Sequence, residues 1–427
     1  MDYSKQHGAI THRSKARRTY DIMLLNIASC NFVSKPYLLA VSDKLTSYRA
    51  LNKALGCGHL KELTLVQKLG GKKRTIKYYC ITRDGLAYLA ENHQAFPSQF
   101  AWTEYLIPPA ERMKTKLQPL SANRMARFLA VSGTSFLMSV SGVQTEHIFT
   151  SAVISEEVFN VAAPLPLENR HRNIEQIIAE AKRRARAECD SAEITGSDII
   201  YYNSFEIKQE LAQCSGRYSD FHGGRYTGIL ESATRTVLVY TGNKGGMAWS
   251  TVATKPEFSA LHTYSAKYSR YQNLPAGENH GIMFVDNARL FAALYLDEKS
   301  KRRTEAFAER VNSLTIFPIN QGGLCSLLDY MDTDDAQFET SFVSEAVASG
   351  IYELNHEGYT SLFPLRTKQG IPMAIGVFLD AVKLNRMRKI YAKTNVPYGI
   401  ICCGWQIDYY NRVAPEALYM TIDREEG

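Results

Sequence analysis

Three consecutive cations, Lys72, Lys73 and Arg74, follow two glycines between two segments that read as β-strands. A tight hairpin turn uses glycine because glycine adopts the required backbone angles, but the turn does not need charge. Such cations either keep an exposed tip soluble or contact something negative, such as the phosphates of a nucleic acid. Lys77 extends the same basic run along the second strand.

A second group of candidate residues lies on the helix-like segment 45–58. At about 100° per residue, Tyr48, Leu51 and Leu55 fall on one side of this helix. The other side is polar or basic and carries Thr46, Arg49 and Lys53, with Asn52 on the flank. Arginine suits guanine and asparagine suits adenine, so this side is a candidate for contacts with DNA base edges.

One pattern would suit metal-dependent DNA cleavage. Asp198 and Glu206-x-Lys208 match the set used by restriction-type nucleases, in which carboxylates bind Mg²⁺ and lysine helps to activate water. Those nucleases need the residues on adjacent strands, whereas the segment around Glu206 reads as the start of a serine-capped helix. The pattern is kept as an alternative. No other catalytic residue, metal site or cofactor is predicted, and the ten histidines include no His-hydrophobic-His pair.

Positive charge is concentrated near the start of the chain, although the net charge of all 427 residues is only +7. Residues 1–95 hold 16 Lys+Arg against 6 Asp+Glu, giving +10, and the remaining 332 residues hold 34 against 37, giving −3. A basic module attached to a roughly neutral body is typical of nucleic-acid-binding proteins.

Three helices are predicted before the basic turn. Residues 17–30 carry apolar side chains at positions 20, 23, 24 and 27, which is the spacing of an amphipathic helix. A short helix is expected after Ser34, because serine caps helices well and Pro36 fits a first turn. The segment 45–58 forms the third helix and ends at glycines.

A hairpin and a closing helix follow. The strand-like runs 62–69 and 74–82 flank the basic turn, and Thr82 caps a helix that carries Leu86 and Leu89 inward. This order predicts a winged helix-turn-helix, whose third helix enters the major groove while the hairpin wing follows the phosphates. The alternative is a winged helix that serves only dimerisation or protein contact. The predicted DNA contacts are Arg17, Arg18, Thr46, Arg49, Asn52, Lys53, Lys72, Lys73, Arg74 and Lys77.

The sequence also resembles the replication-relaxation family of conjugative plasmids and transposons. The wing of that family runs into a segment matched here by Ile81-Thr82, Gly85 and Leu89-Ala90, and residues 120–143 resemble the helical segment that follows. The stretch from Ser204 to Ser250 resembles accessory proteins of Gram-positive mobile elements. The resemblance implies a DNA-binding protein of plasmid or transposon mobilisation that acts near a relaxase or an origin.

The rest of the chain predicts a mixed-sheet α/β domain. Strand-like runs such as "TVLVYT", "GIMFV" and "YTSLFPL" alternate with helical ones after residue 195, and residues 375–405 read as a strand-helix-strand unit with parallel strands. The predicted organisation is therefore a multidomain α+β protein: a basic tail (1–14), a winged helix-turn-helix (15–96), a helical connector (97–192) and an α/β domain (193–427).

Localisation and partners follow from the same observations. No apolar run approaches a membrane span, the start of the chain has no signal-peptide pattern, and the eight cysteines are scattered, which predicts a cytoplasmic protein. The predicted function is sequence-directed binding of double-stranded DNA for a mobile element, with a relaxase or other transfer or replication protein as a partner, and with homodimerisation left open. The alternatives are a metal-dependent nuclease or nicking enzyme and a transcriptional repressor.

Overall fold

The computed structural model describes ten α-helices and three β-sheets, so the predicted mixture of helices and sheets is confirmed. The chain divides into two compact units, 1–194 and 195–427. The predicted basic tail and most of the predicted connector lie outside the described residues. The described residues are 15–30, 32–40, 44–69, 72–92, 122–141, 143–145, 199–204, 207, 226–242, 255–267, 269–285, 288, 291–292 and 310–422.

The first unit begins with three helices, α1 (Lys15–Ser29), α2 (Lys35–Ala40) and α3 (Lys44–Gly56). The apolar stripe predicted for α1 is confirmed, because its four side chains are buried: Tyr20, Met23, Leu24 and Ile27. The buried side of α3 differs in part from the prediction. Leu51 is buried together with Ala50 and Ala54, whereas Tyr48 is 38% exposed. Small alanines let α3 pack closely on α1, and the larger tyrosine then lies on the outside.

A three-stranded antiparallel sheet follows, with β1 (Val33–Ser34), β2 (Leu60–Leu69) and β3 (Lys72–Ile81) in the order β1–β3–β2. The β2–β3 ladder runs from the pair Leu60↔Ile81 to the pair Leu69↔Lys72. The second strand therefore begins two residues earlier than the sequence predicts. The base of the hairpin packs into an apolar cluster that includes Phe32, Leu63, Leu65, Ile76, Tyr78, Cys80 and Leu129.

Helix α4 (Arg83–Asn92) closes the hairpin as predicted. The Thr82 hydroxyl accepts the backbone N–H of Gly85 at 3.1 Å, which is an N-terminal cap. Gly85 lies so close to the preceding chain that a Cβ there would be 2.3 Å from the carbonyl oxygen of His59. Leu89 is fully buried. Each of these three positions, which carry the family resemblance, therefore has a packing or capping role.

Helix α5 (Ala122–Val140) packs into the first unit. Its side chains from Leu129 to Met138 are buried, and Leu129 belongs to the same apolar cluster as the hairpin. A Cβ at Gly133 would lie 2.9 Å from the ring of Tyr37 on α2. The helix falls within the segment predicted as a connector, yet it completes the core beneath the hairpin. A two-residue strand, β4 (Gln144–Thr145), follows it.

The second unit contains a sheet in which β5 to β9 pair in chain order. β5, β6 and β7 are antiparallel, and β7, β8 and β9 are parallel. Parallel neighbours need a crossover connection, and α6 supplies it between β7 and β8. The elements are β5 (Ile200–Asn203), β6 (Gly228–Glu231), β7 (Thr236–Gly242), α6 (Lys255–Lys267), β8 (His280–Val285), β9 (Ser313–Pro318) and then α7 (Gln321–Asp332).

The last part of the chain repeats this topology. Strands β10 to β14 also pair in chain order, with β10, β11 and β12 antiparallel and β12, β13 and β14 parallel. The predicted mixed sheet and the predicted parallel unit are thus confirmed, but the strand predicted at 359–365 is wrong, because β11 begins only at Leu365. The elements are α8 (Asp335–Ala348), β10 (Tyr352–Leu354), β11 (Leu365–Thr367), β12 (Pro372–Ile375), α9 (Ala381–Thr394), β13 (Gly399–Cys403), α10 (Ile407–Val413) and β14 (Leu418–Ile422).

Asp380 joins the two sheets of the second unit. Its carboxylate caps α9 by accepting the N–H of Val382 at 2.7 Å, and it also accepts the N–H of Leu314 on β9 at 3.3 Å. The N–H of Ile316 donates to the carbonyl of Leu379 at 2.9 Å. The segment before α9 therefore covers the outer edge of β9. None of the described helices is both long and apolar enough to cross a membrane.

Candidate nucleic-acid interface

The outer end of the β2–β3 hairpin concentrates positive charge. The last three cross-strand pairs are Gln67↔Arg74, Lys68↔Lys73 and Leu69↔Lys72. We call the four cations of these pairs, Lys68, Lys72, Lys73 and Arg74, the basic tip. No Asp or Glu occurs in the sequence between Glu62 and Asp84, so the tip has no acidic neighbour along the hairpin.

The pair Lys68↔Lys73 places like charges directly opposite each other in an antiparallel ladder. Such pairs destabilise a sheet, because paired residues are close neighbours on one face. The tip also lies beyond the apolar cluster at the base of the hairpin, and Val66, next to it, is 52% exposed. The backbone register thus brings four basic positions together at the outer end of the hairpin.

Lys77, nearer the base of the hairpin, already has a partner. Its ammonium donates to a Glu62 carboxylate oxygen on the neighbouring strand at 2.7 Å, and the Tyr79 hydroxyl donates to the other oxygen at 3.3 Å. The hydrogen bond from Lys77 holds the pKa of Glu62 below its usual value. Burial, with the nearby Glu62 charge, raises the pKa of Tyr79 to about 12. Lys77 must share or leave this ion pair to reach a phosphate.

The exposed side of α3 agrees with the prediction at three positions. Arg49, Asn52 and Lys53 are exposed. Among the described residues, Arg49 and Asn52 have no hydrogen-bond or ion-pair partner, and the Lys53 ammonium lies 5.0 Å from the centre of the Tyr20 ring. For Thr46, Arg17 and Arg18 the structure describes only the backbone, in the first turns of α3 and α1.

Two residues absent from the predicted interface, Lys35 and Tyr48, connect α3 to the hairpin base. The Lys35 ammonium lies 4.5 Å from the centre of the Tyr48 ring. Lys35 also contributes electrostatically to the low pKa of Glu62, and Tyr48 contributes to the raised pKa of Tyr79. The exposed ring of Tyr48 is therefore close enough to the hairpin base to interact electrostatically with Tyr79. The exposure of Tyr48 depends on which face of α3 packs against the other helices. A helical wheel of α3 alone therefore assigns Tyr48 to the buried side.

The residues of the predicted nuclease alternative, Asp198, Glu206 and Lys208, lie outside the described residues. Within the described part of the chain, no group of three His, Cys, Asp or Glu side chains is arranged to hold a metal ion. Among the described acidic residues of the second unit, Glu231 at the end of β6 is fully buried and accepts the N–H of Arg270 at 3.3 Å. Burial raises the pKa of Glu231.

No family model, no curated protein and no solved structure matches the chain. The resemblance to the replication-relaxation family therefore stays a prediction.

Proposed function

We propose that the first unit is a winged helix-turn-helix that binds double-stranded DNA. Its order of elements, α1–β1–α2–α3–β2–β3, is the order of that module, with α3 as the recognition helix and the β2–β3 hairpin as the wing. The proposal rests on the basic tip above all. A hairpin end that pairs Lys68 with Lys73 and has no acidic neighbour is better explained by a polyanion than by folding.

In this proposal the basic tip contacts phosphates and supplies affinity that depends on salt but not on sequence. Arg17 and Arg18 at the start of α1 contribute to the same salt-dependent affinity. Lys77 also contacts a phosphate when its ion pair with Glu62 breaks. The exposed Arg49 and Asn52 hydrogen-bond base edges in the major groove, with Thr46 and Lys53 beside them.

The biological role we propose is that of an accessory DNA-binding protein of a mobile element, acting in the cytoplasm at an origin or transfer site. The family resemblance supports this role, and the second unit would contact a relaxase or another transfer or replication protein.

The test measures binding of the full chain to labelled duplex DNA by fluorescence anisotropy at several salt concentrations. A variant with Lys72, Lys73 and Arg74 changed to glutamine should weaken binding to every sequence. It should also flatten the slope of log K against log salt by about 2–3, since each phosphate contact contributes about 0.9.

The matched control changes three exposed cations of the second unit, Arg386, Lys389 and Lys393, to glutamine. This control alters the net charge but should leave the salt slope unchanged. Equal slopes for the native chain and the tip variant would refute the assignment of the wing. Incubation of plasmid DNA with Mg²⁺ in parallel tests the nuclease alternative, which predicts nicking.

A further inference from the structure

The sheet formed by β10 to β14 has two outer strands that differ in chemistry. β10 has only three residues, and its Glu353 forms an ion pair with Arg366 at 3.2 Å. β14 has five residues, Leu-Tyr-Met-Thr-Ile, with no charge and no proline. Short length, charge and proline are the features that prevent an outer strand from pairing with another chain. β14 has none of the three.

The corresponding outer strand of the repeated sheet is covered. There, β9 receives the segment Leu379–Asp380, which takes up the N–H groups of Ile316 and Leu314. Within the described residues, no segment pairs with the outer edge of β14. Among the described residues, the same topological position is therefore covered at β9 and uncovered at β14.

The hydrogen-bonding direction along β14 is fixed by its inner neighbour. The N–H of Leu418 donates to the carbonyl of Tyr398 at 3.0 Å, so Leu418 points its backbone groups toward β13. Directions alternate along a strand in a parallel ladder, so Met420 and Ile422 also point inward. The N–H and C=O groups of Tyr419 and Thr421 therefore point to the open edge.

The side chains of β14 divide between the two faces of the sheet. Tyr419 stacks on Tyr410 of α10, with ring centres 6.4 Å apart, and so belongs to one covered face. Ile422 packs on the other face, against the apolar cluster of Leu365, Met373 and Ile401. Leu418 and Met420 share that face but are 48% and 42% exposed. An apolar pair thus remains in solvent beside an unpaired backbone edge.

We propose that β14 is a homodimer interface, in which a second copy of this chain pairs antiparallel through its own β14 about a two-fold axis at Met420. Every cross-strand pair then matches in chemistry. Met420 faces Met420 of the other copy, Leu418 faces Ile422, and Tyr419 faces Thr421, which is a favourable aromatic and β-branched pair.

The backbone directions agree with this register. Tyr419 and Thr421 form the hydrogen-bonded pairs and exchange N–H and C=O bonds, while Met420 lies in a pair without hydrogen bonds. The two five-stranded sheets become one continuous sheet of ten strands. A single edge pairing buries a modest area, so the dimer should form and dissociate with concentration. The proposal does not depend on DNA binding.

Sedimentation velocity of the full chain tests the proposal without DNA. The native chain, of 48.1 kDa, should shift from monomer to dimer over roughly 1–100 µM protein. Thr421→Pro removes one outward N–H and no bond of the chain's own ladder, so it should raise the dimer dissociation constant about tenfold or more. Met420→Lys should do the same, because it places two ammonium groups opposite each other. Val396→Lys, at an exposed apolar residue outside β14, is the matched control and should dimerise like the native chain.

Two further measurements test the register itself. A mixture of Met420→Lys and Met420→Glu should form heterodimers although each variant alone stays monomeric. Met420→Cys should form a covalent dimer under mild oxidation, because the Cα atoms of such a pair lie about 4.5 Å apart, within disulfide range. Val396→Cys and the native chain, which has exposed Cys57 and Cys325, give the background.

A native chain that stays monomeric throughout the concentration range would overturn the proposal. Dimers that persist in both Thr421→Pro and Met420→Lys would place the interface elsewhere and overturn it as well. Circular dichroism identifies any variant that fails to fold. In that case the oxidation of Met420→Cys tests the pairing of β14 with its copy. A covalent dimer that is no more abundant than in Val396→Cys contradicts this pairing.

Discussion

Glu62→Gln should increase the affinity of the protein for DNA, although it removes an ion pair. The Glu62 carboxylate accepts a hydrogen bond from the Lys77 ammonium at 2.7 Å, on the part of the hairpin that carries no other acidic residue. Glutamine removes the negative charge and releases Lys77 to contact a phosphate. The change therefore converts one internal ion pair into one DNA contact.

The expected magnitude follows from the contact and from its exposure. One added phosphate contact makes the slope of log K against log salt steeper by about 0.9, which is about eightfold in affinity at 0.1 M salt. The side chains of Lys77 and Glu62 are 52% and 33% exposed. An ion pair this exposed contributes about 0–1 kcal/mol to the free energy of unfolding, so the variant should fold normally.

Anisotropy titrations at four or more salt concentrations measure both the affinity and the slope. Glu353→Gln is the matched control, because Glu353 forms a comparable cross-strand ion pair with Arg366 in the second unit. That control should bind DNA like the native chain. If Glu62→Gln binds no more tightly and its slope is unchanged, Lys77 does not lie beside phosphates and the wing contacts DNA only through its tip, or not at all.

Three further predictions concern base contacts and the second unit. Asn52→Ala should reduce the difference in binding free energy between the preferred DNA site and a single-base variant by about 1–3 kcal/mol, with little change in salt slope, as competition titrations would measure. An unchanged difference between the two sites would exclude a base contact by Asn52. Asp380→Ala should lower the free energy of unfolding by about 2–4 kcal/mol in urea titrations, because it removes the cap of α9 and leaves the N–H of Leu314 unpaired. A loss no larger than that expected from the cap alone would show that the hydrogen bond to Leu314 contributes nothing to stability. Burial raises the folded-state pKa of Glu231 above its unfolded value, so ionisation of Glu231 opposes folding as pH rises through the folded pKa. Glu231→Gln should therefore raise the melting temperature at pH 8, and this gain should vanish at acid pH. A gain in melting temperature that is the same at every pH would show that ionisation of Glu231 is not its cause.

The sequence predicts the first unit well where the determinants are local. The spacing of Tyr20, Leu24 and Ile27 identifies α1 and its buried face, and Thr82 marks the start of α4. The face of α3 is predicted only in part, because the burial of Ala50 and Ala54 depends on how closely α1 approaches. A helical wheel predicts the buried face from the size and hydrophobicity of the side chains and contains no information on the distance between helices.

Features that depend on non-local pairing could not be predicted. The contact between Lys77 and Glu62 requires the register of the hairpin, and the like-charge pair in the basic tip requires it too. Helix α8 has a capping Asp334 but only partly buried apolar residues, so its periodicity is weak. The segment at 359–364 is apolar enough to suggest a strand, yet Tyr359 adopts a left-handed backbone conformation with φ of 53°.

The pair Lys68↔Lys73 provides the most direct test of DNA binding by the wing. Lys73→Gln should reduce affinity for duplex DNA about eightfold at 0.1 M salt, through the loss of one phosphate contact. The same change should leave the melting temperature of the free protein unchanged or higher, because it relieves repulsion in the ladder. A lower melting temperature with unchanged DNA affinity would mean that the lysine supports the fold, and it would contradict the account.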